Sequence, residues 1–123
     1  MTSQTKKAVL VCDDEKGIRE SLKLILSGGY DLTFAENGVE ALEALKSMSP
    51  AAVLLDIKMP KLHGLEILKE IKKLRPALPV IIVTGYQSAE IAQESIRAGA
   101  ADYIPKPFDA AKILETLAAV TGK

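Results

Sequence analysis

A chain of 123 residues is one domain of common size, long enough to bury a core without metals or cross-links. Sixteen basic residues balance sixteen acidic ones, which argues against a nucleic-acid or membrane-binding surface. Cys12 is the only cysteine, so there is no internal disulfide framework. No apolar run approaches the ~20 residues of a membrane helix. The polar start Met1-Thr2-Ser3-Gln4-Thr5-Lys6-Lys7 carries no signal-peptide core. A soluble cytoplasmic domain is expected.

Two periods alternate along the chain. Ala8 to Cys12 is a short apolar strand cut off by Asp13-Asp14-Glu15. Ile18, Leu22, Ile25 and Leu26 then recur at helical spacing, and Gly28-Gly29 marks the stop. Tyr30 to Ala35 is short and mixed, as an edge strand would be. Asn37-Gly38 signals a turn before a helix with Val39, Leu42 and Leu45 on one face. Ala51 to Leu55 is a continuous apolar run, the signature of a strand covered on both sides, and it delivers a lone carboxylate, Asp56. A helix opened by Gly64 places Leu65, Leu68, Ile71 and Leu74 on one side, with its lysines forming a solvated face.

Pro79 to Thr84 is another buried strand ending in a polar residue. The helix after it, from about Gln87 to Ala98, has an apolar face diluted by Ala and Ser. Ala101 to Ile104 is a brief strand before Pro105-Lys106-Pro107. The last helix starts near Asp109, its expected N-cap, and turns Ile113, Leu117 and Val120 inward. Such alternation predicts an α/β fold, a parallel sheet built by right-handed crossovers with helices on both faces. The three most apolar strands, first, third and fourth, belong in the middle. The order 2-1-3-4-5 satisfies this, a flavodoxin-like (βα)5 three-layer sandwich spanning residues 1–123 as one domain.

That order opens a crevice between the first and third strands, at their carboxyl ends. Asp13 and Asp14 end one of those strands and Asp56 follows the other, so three carboxylates converge there. They repel unless neutralised, and a hard divalent cation such as Mg2+ meets the need with oxygen ligands. Beside a bound cation, an aspartate can attack a phosphoryl group and form an acyl phosphate. Thr84 and Lys106 end the fourth strand and follow the fifth, where a hydroxyl and a positive charge would hold the phosphoryl oxygens. Each residue also has an ordinary reading: Asp13 and Asp14 as helix-start acids, Thr84 as a turn residue, Lys106 as a solvent lysine, Tyr103 as a half-buried aromatic, Cys12 as a core thiol.

Four segments, in order, then resemble one family. Val11-Cys12-Asp13-Asp14-Glu15, Leu55-Asp56-Ile57-Lys58-Met59-Pro60, Val83-Thr84-Gly85 and Tyr103-Ile104-Pro105-Lys106-Pro107-Phe108 are similar to the motifs of two-component response regulator receiver domains. The resemblance runs from Val9 to the last helix. It implies that Asp56 takes a phosphoryl group from a sensor histidine kinase or a histidine phosphotransfer protein. Asp14 and Asp56 would ligate Mg2+ directly, Asp13 largely through water, and the backbone carbonyl of Lys58 would be the third protein ligand. Thr84 and Lys106 would grip the phosphoryl group. Tyr103 would change rotamer on activation and alter the surface of the fourth helix, fifth strand and fifth helix, toward a target or an output domain.

Further expectations come with the resemblance. The Lys106-Pro107 bond is expected to be cis. Glu15, Gly17 and Ile18 resemble the docking residues of sporulation-type phosphorelay receivers, with Pro107 beside them. Lys58 and Tyr86 stand where the family tunes hydrolysis, and their bulk is expected to shield the acyl phosphate. His63 stands before Gly64 where the family usually has an acid, with little effect expected on phosphorylation. The domain itself would be a signalling receiver with self-phosphorylation and autodephosphorylation, not a metabolic enzyme. A monomer is expected without phosphate, with a dimer through the fourth-helix face open on phosphorylation, and no direct contact with nucleic acid or membrane. Two competing readings are a binding-only pseudo-receiver and a phosphatase-like enzyme. The complete Asp13, Asp14, Asp56, Thr84 and Lys106 set argues against the first. The lack of a Gly-rich phosphate loop and of a second aspartate two residues after Asp56 argues against the other.

Overall fold

Strands and helices alternate five times along the chain in the computed structural model, which describes residues 6–58, 64–85 and 88–122. The strands are β1 (Lys7–Cys12), β2 (Tyr30–Ala35), β3 (Ala52–Leu55), β4 (Val80–Thr84) and β5 (Asp102–Pro105). The helices are α1 (Lys16–Leu26), α2 (Gly38–Ala44), α3 (Gly64–Leu74), α4 (Ala89–Arg97) and α5 (Ala110–Thr121). All strand pairs are parallel, and the sheet order is β2-β1-β3-β4-β5, as the apolar runs predict.

The continuous apolar runs divide by the two-residue period of a strand. Val9, Val11, Leu54, Ile81 and Val83 point to a layer closed by Leu22 and Leu26 of α1 and Ile113 and Leu117 of α5. Leu10, Cys12, Val53, Leu55 and Ile82 point to the opposite layer, closed by Ala41 and Leu45 beside Ile67, Leu68 and Ile71 of α3. Burial of each Leu or Ile side chain is worth ~1.5–3 kcal/mol. Only helices on both faces can supply that burial, which explains why β1, β3 and β4 take the centre.

Two helix faces differ from the sequence pattern by about one position. In α2, Ala41 is buried with Leu45 just beyond it, and Leu42 is half-buried, whereas Val39 is 60% exposed. The start of α2 is set by Asn37, whose side chain accepts from the Glu40 N–H at 2.9 Å, while Glu40 Oε1 accepts from the Glu36 N–H at 2.8 Å. This reciprocal cap fixes the rotation of the helix and turns Val39 out. In α3, the buried positions are Gly64, Ile67, Leu68 and Ile71; Leu65 is half-buried and Leu74 is 56% exposed. The cause lies at Gly64, where a Cβ would sit 2.1 Å from Ile57 Cα. The missing side chain lets α3 lie directly on the end of β3, and that approach sets which face goes in.

The remaining helices follow their patterns more closely. α1 stops before Gly28-Gly29, through a right-handed Ser27 cap. α4 has the diluted face that its sequence suggests: Ser95 is its one buried residue, with Ser95 Oγ donating to the Ile91 carbonyl at 2.8 Å. It ends in a Schellman turn, with the Gly99 and Ala100 N–H groups donating to Ile96 and Ser95. Gly99 supplies the φ of +108° that this turn requires. Asp109 is the N-cap of α5, as expected, but it makes no side-chain capping bond. Among the described residues no helix is long and apolar enough to cross a membrane.

Candidate functional site

The backbone ladder places the acids side by side. Cys12 of β1 is in register with Leu55 of β3, and the Asp56 N–H continues that pairing by donating to the Cys12 carbonyl at 3.0 Å. The Asp13 N–H donates to the Ala35 carbonyl at 3.0 Å, so Asp13 is pinned to the neighbouring strand β2. Thr84 pairs with Pro105, and the Lys106 N–H donates to the Thr84 carbonyl at 2.8 Å. Four strands thus end at one edge of the sheet, each delivering a polar residue or its immediate neighbour.

The side chains meet across that edge. Lys106 Nζ lies 2.9 Å from Asp13 Oδ2, 2.9 Å from Asp56 Oδ2 and 2.8 Å from Glu15 Oε1. Asp13 and Asp56 are each 2% exposed, and Thr84 is fully buried. The outer carboxylate oxygens are also held: Asp13 Oδ1 accepts from the Glu15 N–H at 2.9 Å, and Asp56 Oδ1 from the Lys58 N–H at 2.8 Å. The Lys106-Pro107 peptide is cis.

Burial raises the Asp13 carboxyl above its ordinary value, despite the opposing Glu15 N–H and Lys106 ammonium. Burial works against the charge on Lys106 too, but Glu15, Asp13 and Asp56 together outweigh it and hold the ammonium protonated. Cys12 is pushed up to about 12 by burial and the surrounding acids, so it stays a thiol. The Tyr103 hydroxyl is raised by burial, then by the Asp56 charge.

One carboxylate oxygen from each of Asp13, Asp14, Glu15 and Asp56 falls within 4.8 Å of the others. An all-oxygen donor set of this density, half of it open to solvent, suits a hard divalent cation that keeps several waters. The residues present therefore fit Mg2+, with the Lys106 ammonium already supplying positive charge to three of these carboxylates, Asp13, Glu15 and Asp56.

The structure brings together Asp13, Asp14, Asp56 and Lys106 as the sequence implies, with Thr84 ending the strand between Asp56 and Lys106. Lys58 is exposed just beyond Asp56. Tyr103 is half-buried on the face shared with α2 and α3, in register with Ile82. Gly17 and Pro107 are exposed and Ile18 is half-buried. Tyr86, His63 and Met59-Pro60 lie outside the described residues. Two roles were not visible in the pattern. Glu15, read as a docking residue, is a member of the charge cluster; the run of three acids was the available signal. Arg19 Nη1 donates to the Asp13 carbonyl at 2.8 Å and its Nη2 lies 3.7 Å from Glu36 Oε2, tying two loops of the crevice together.

Comparison with known proteins matches the family described as response regulator receiver domain to residues 9–118. The DNA-binding transcriptional regulator NtrC of Escherichia coli (strain K12) is 48% identical over 102 residues, covering 82% of this chain and 22% of NtrC. The response regulator MprA of Mycobacterium sp. (strain KMS) is 39% identical over 113 residues, covering 91% of this chain and 49% of MprA. The chain thus spans between about a fifth and a half of the length of these relatives. A solved CheY-like receiver domain protein from Methanospirillum hungatei JF-1 superposes with a TM-score of 0.91 at 36% identity, over 96% of this chain and 95% of that one. Sequence and backbone agree from the first strand into the last helix, and the chain belongs to the response regulator receiver domain family.

Proposed function

We propose that Asp56 is the phosphoryl acceptor of this receiver, taking the group from a phosphohistidine on a sensor kinase or a histidine phosphotransfer protein. The observation that carries this reading is the single ammonium of Lys106 bridging Asp13, Glu15 and Asp56. A buried acid held so closely by a cation is poised to exchange that partner for another. In the reaction, an Asp56 carboxylate oxygen bonds to phosphorus as the donor P–N bond breaks, and the imidazole keeps the electron pair and takes up a proton. Asp13, Asp14, Asp56 and the Lys58 carbonyl would hold Mg2+, which when bound offsets the charge of the incoming group. Lys106 then pairs with a phosphoryl oxygen, and the Thr84 hydroxyl closes on another.

Output follows from what Thr84 and Lys106 pull. Movement at the end of β4 and after β5 would let Tyr103 repack and change the surface of α4, β5 and α5. α4, anchored by one buried residue, is the element least costly to shift. A bias of ~3–5 kcal/mol from phosphorylation suffices for a near-complete switch. We read residues 1–123 as one receiver domain, cytoplasmic, monomeric without phosphate and able to dimerise through α4 with it, signalling to a target or output domain.

Incubation with acetyl phosphate and Mg2+, followed by intact mass, tests the reading. One phosphoryl group is expected on the wild type, and none without Mg2+ or on Asp56→Asn. No addition to the wild type favours a binding-only domain, and turnover of small phosphate esters favours a metabolic enzyme. The lifetime of the phosphoprotein is expected to shorten in Lys58→Asn and in Tyr86→Ala, because both positions match those at which the family tunes hydrolysis and both substitutions remove bulk. A chase by intact mass reads this directly; unchanged or longer lifetimes in both variants would remove these residues from that role.

A further inference from the structure

Glu15 occupies the N-cap of α1, where a side-chain oxygen normally accepts from the helix's own N–H groups. It makes no such bond. Its carboxylate instead crosses to Lys106, 91 residues away, at 2.8 Å. The Glu15 side chain is 60% exposed, and that of Lys106 only 10%. Two further carboxylate partners of the ammonium, Asp13 and Asp56, are 2% exposed and pinned by backbone N–H groups. Of the three carboxylates, Glu15 alone can turn to water at little cost.

We propose that Glu15 is a positioning residue, whose carboxylate holds the Lys106 ammonium at the mouth of the site and releases it to the incoming phosphoryl group. This rests on the reading of Asp56 as acceptor. The contact keeps Lys106 placed over Asp56 before phosphate arrives, and a phosphoryl oxygen must displace Glu15 to take its place. Glu15 therefore slows phosphoryl entry twice: it competes for the lysine, and its charge repels an anionic donor at the entrance. Removing that charge while keeping the side-chain shape, in Glu15→Gln, loosens Lys106 yet speeds phosphorylation. A role limited to docking a partner protein would do neither.

Two measurements on the full chain test this. The first is the lysine-ammonium 1H–15N correlation spectrum without phosphodonor, assigned by the loss of its signal in Lys106→Arg. A slowly exchanging Lys106 signal is expected in the wild type, broadened severalfold or lost in Glu15→Gln. The second is phosphorylation by acetyl phosphate at saturating Mg2+. Here Glu15→Gln is expected to react about threefold to tenfold faster, a gap that closes as salt screens the exposed charge. An unchanged Lys106 signal, or a Glu15→Gln rate equal to or below the wild type, overturns the proposal. If the wild type takes no phosphate, the reading of Asp56 fails, and the ammonium signal still decides whether Glu15 holds Lys106.

Discussion

Replacement of Lys106 by alanine is expected to cost the metal-free fold about 3 kcal/mol at neutral pH, most of it returned by Mg2+. The ammonium lies 2.8–2.9 Å from three carboxylates, two of them almost wholly out of solvent. Breaking a buried pair by removing one partner is far more damaging than losing a surface ion pair, which is worth ~0–1 kcal/mol. The remaining Asp13 and Asp56 charges would face each other without that counter-ion. A domain of this size has roughly 5–15 kcal/mol of total stability, so the loss is large enough to leave some molecules unfolded. Urea denaturation with and without Mg2+ checks it. A loss below about 1 kcal/mol, or one that Mg2+ leaves untouched, would mean that Lys106 does not neutralise the pocket.

The second large effect runs the other way. Asp13→Asn is expected to raise the Tm of the metal-free protein at neutral pH by about 3–6 °C, what ~1 kcal/mol is worth in a domain of this size. Burial, opposed by the Glu15 N–H and Lys106, leaves the Asp13 carboxyl with a raised pKa. Such a group binds more protons folded than unfolded, so its stabilising contribution is complete at low pH and falls away as pH rises from about 4 through the raised value. The Asp13 charge therefore costs the metal-free fold stability once pH exceeds the raised value. The advantage of Asp13→Asn should therefore shrink toward pH 4, and reverse when Mg2+ favours the intact acid set. Thermal melts across pH, with and without Mg2+, read both trends. A variant less stable than wild type at pH 7 without metal would show that pairing with Lys106 outweighs burial.

These opposed effects have one source: Asp13 and Asp56 are costly to hold side by side, and Lys106 offsets part of that cost. Much of that is legible in the amino-acid sequence. Apolar runs longer than one face needs reveal central strands, and an abrupt polar residue after each reveals the sheet edge where Asp13, Asp56 and Thr84 gather. What was not legible depends on contacts between distant parts of the chain. The inward faces of α2 and α3 are set by the Asn37 cap and by the approach of Gly64 to Ile57, and counting apolar residues alone misplaces Val39 and Leu74. The reach of Glu15 to Lys106 depends on a flexible side chain choosing a partner 91 residues away. No local spacing encodes that choice, and the same holds for Arg19 fastening the Asp13 carbonyl.

The identity of the acceptor is open to direct chemical reading. Borohydride reduces an aspartyl phosphate to homoserine, which marks the modified residue in a peptide mass spectrum. After treatment with acetyl phosphate and Mg2+, homoserine is expected at position 56 and nowhere else. Homoserine at position 13 or 14, or its absence from a protein that has gained phosphate, would contradict the assignment of Asp56.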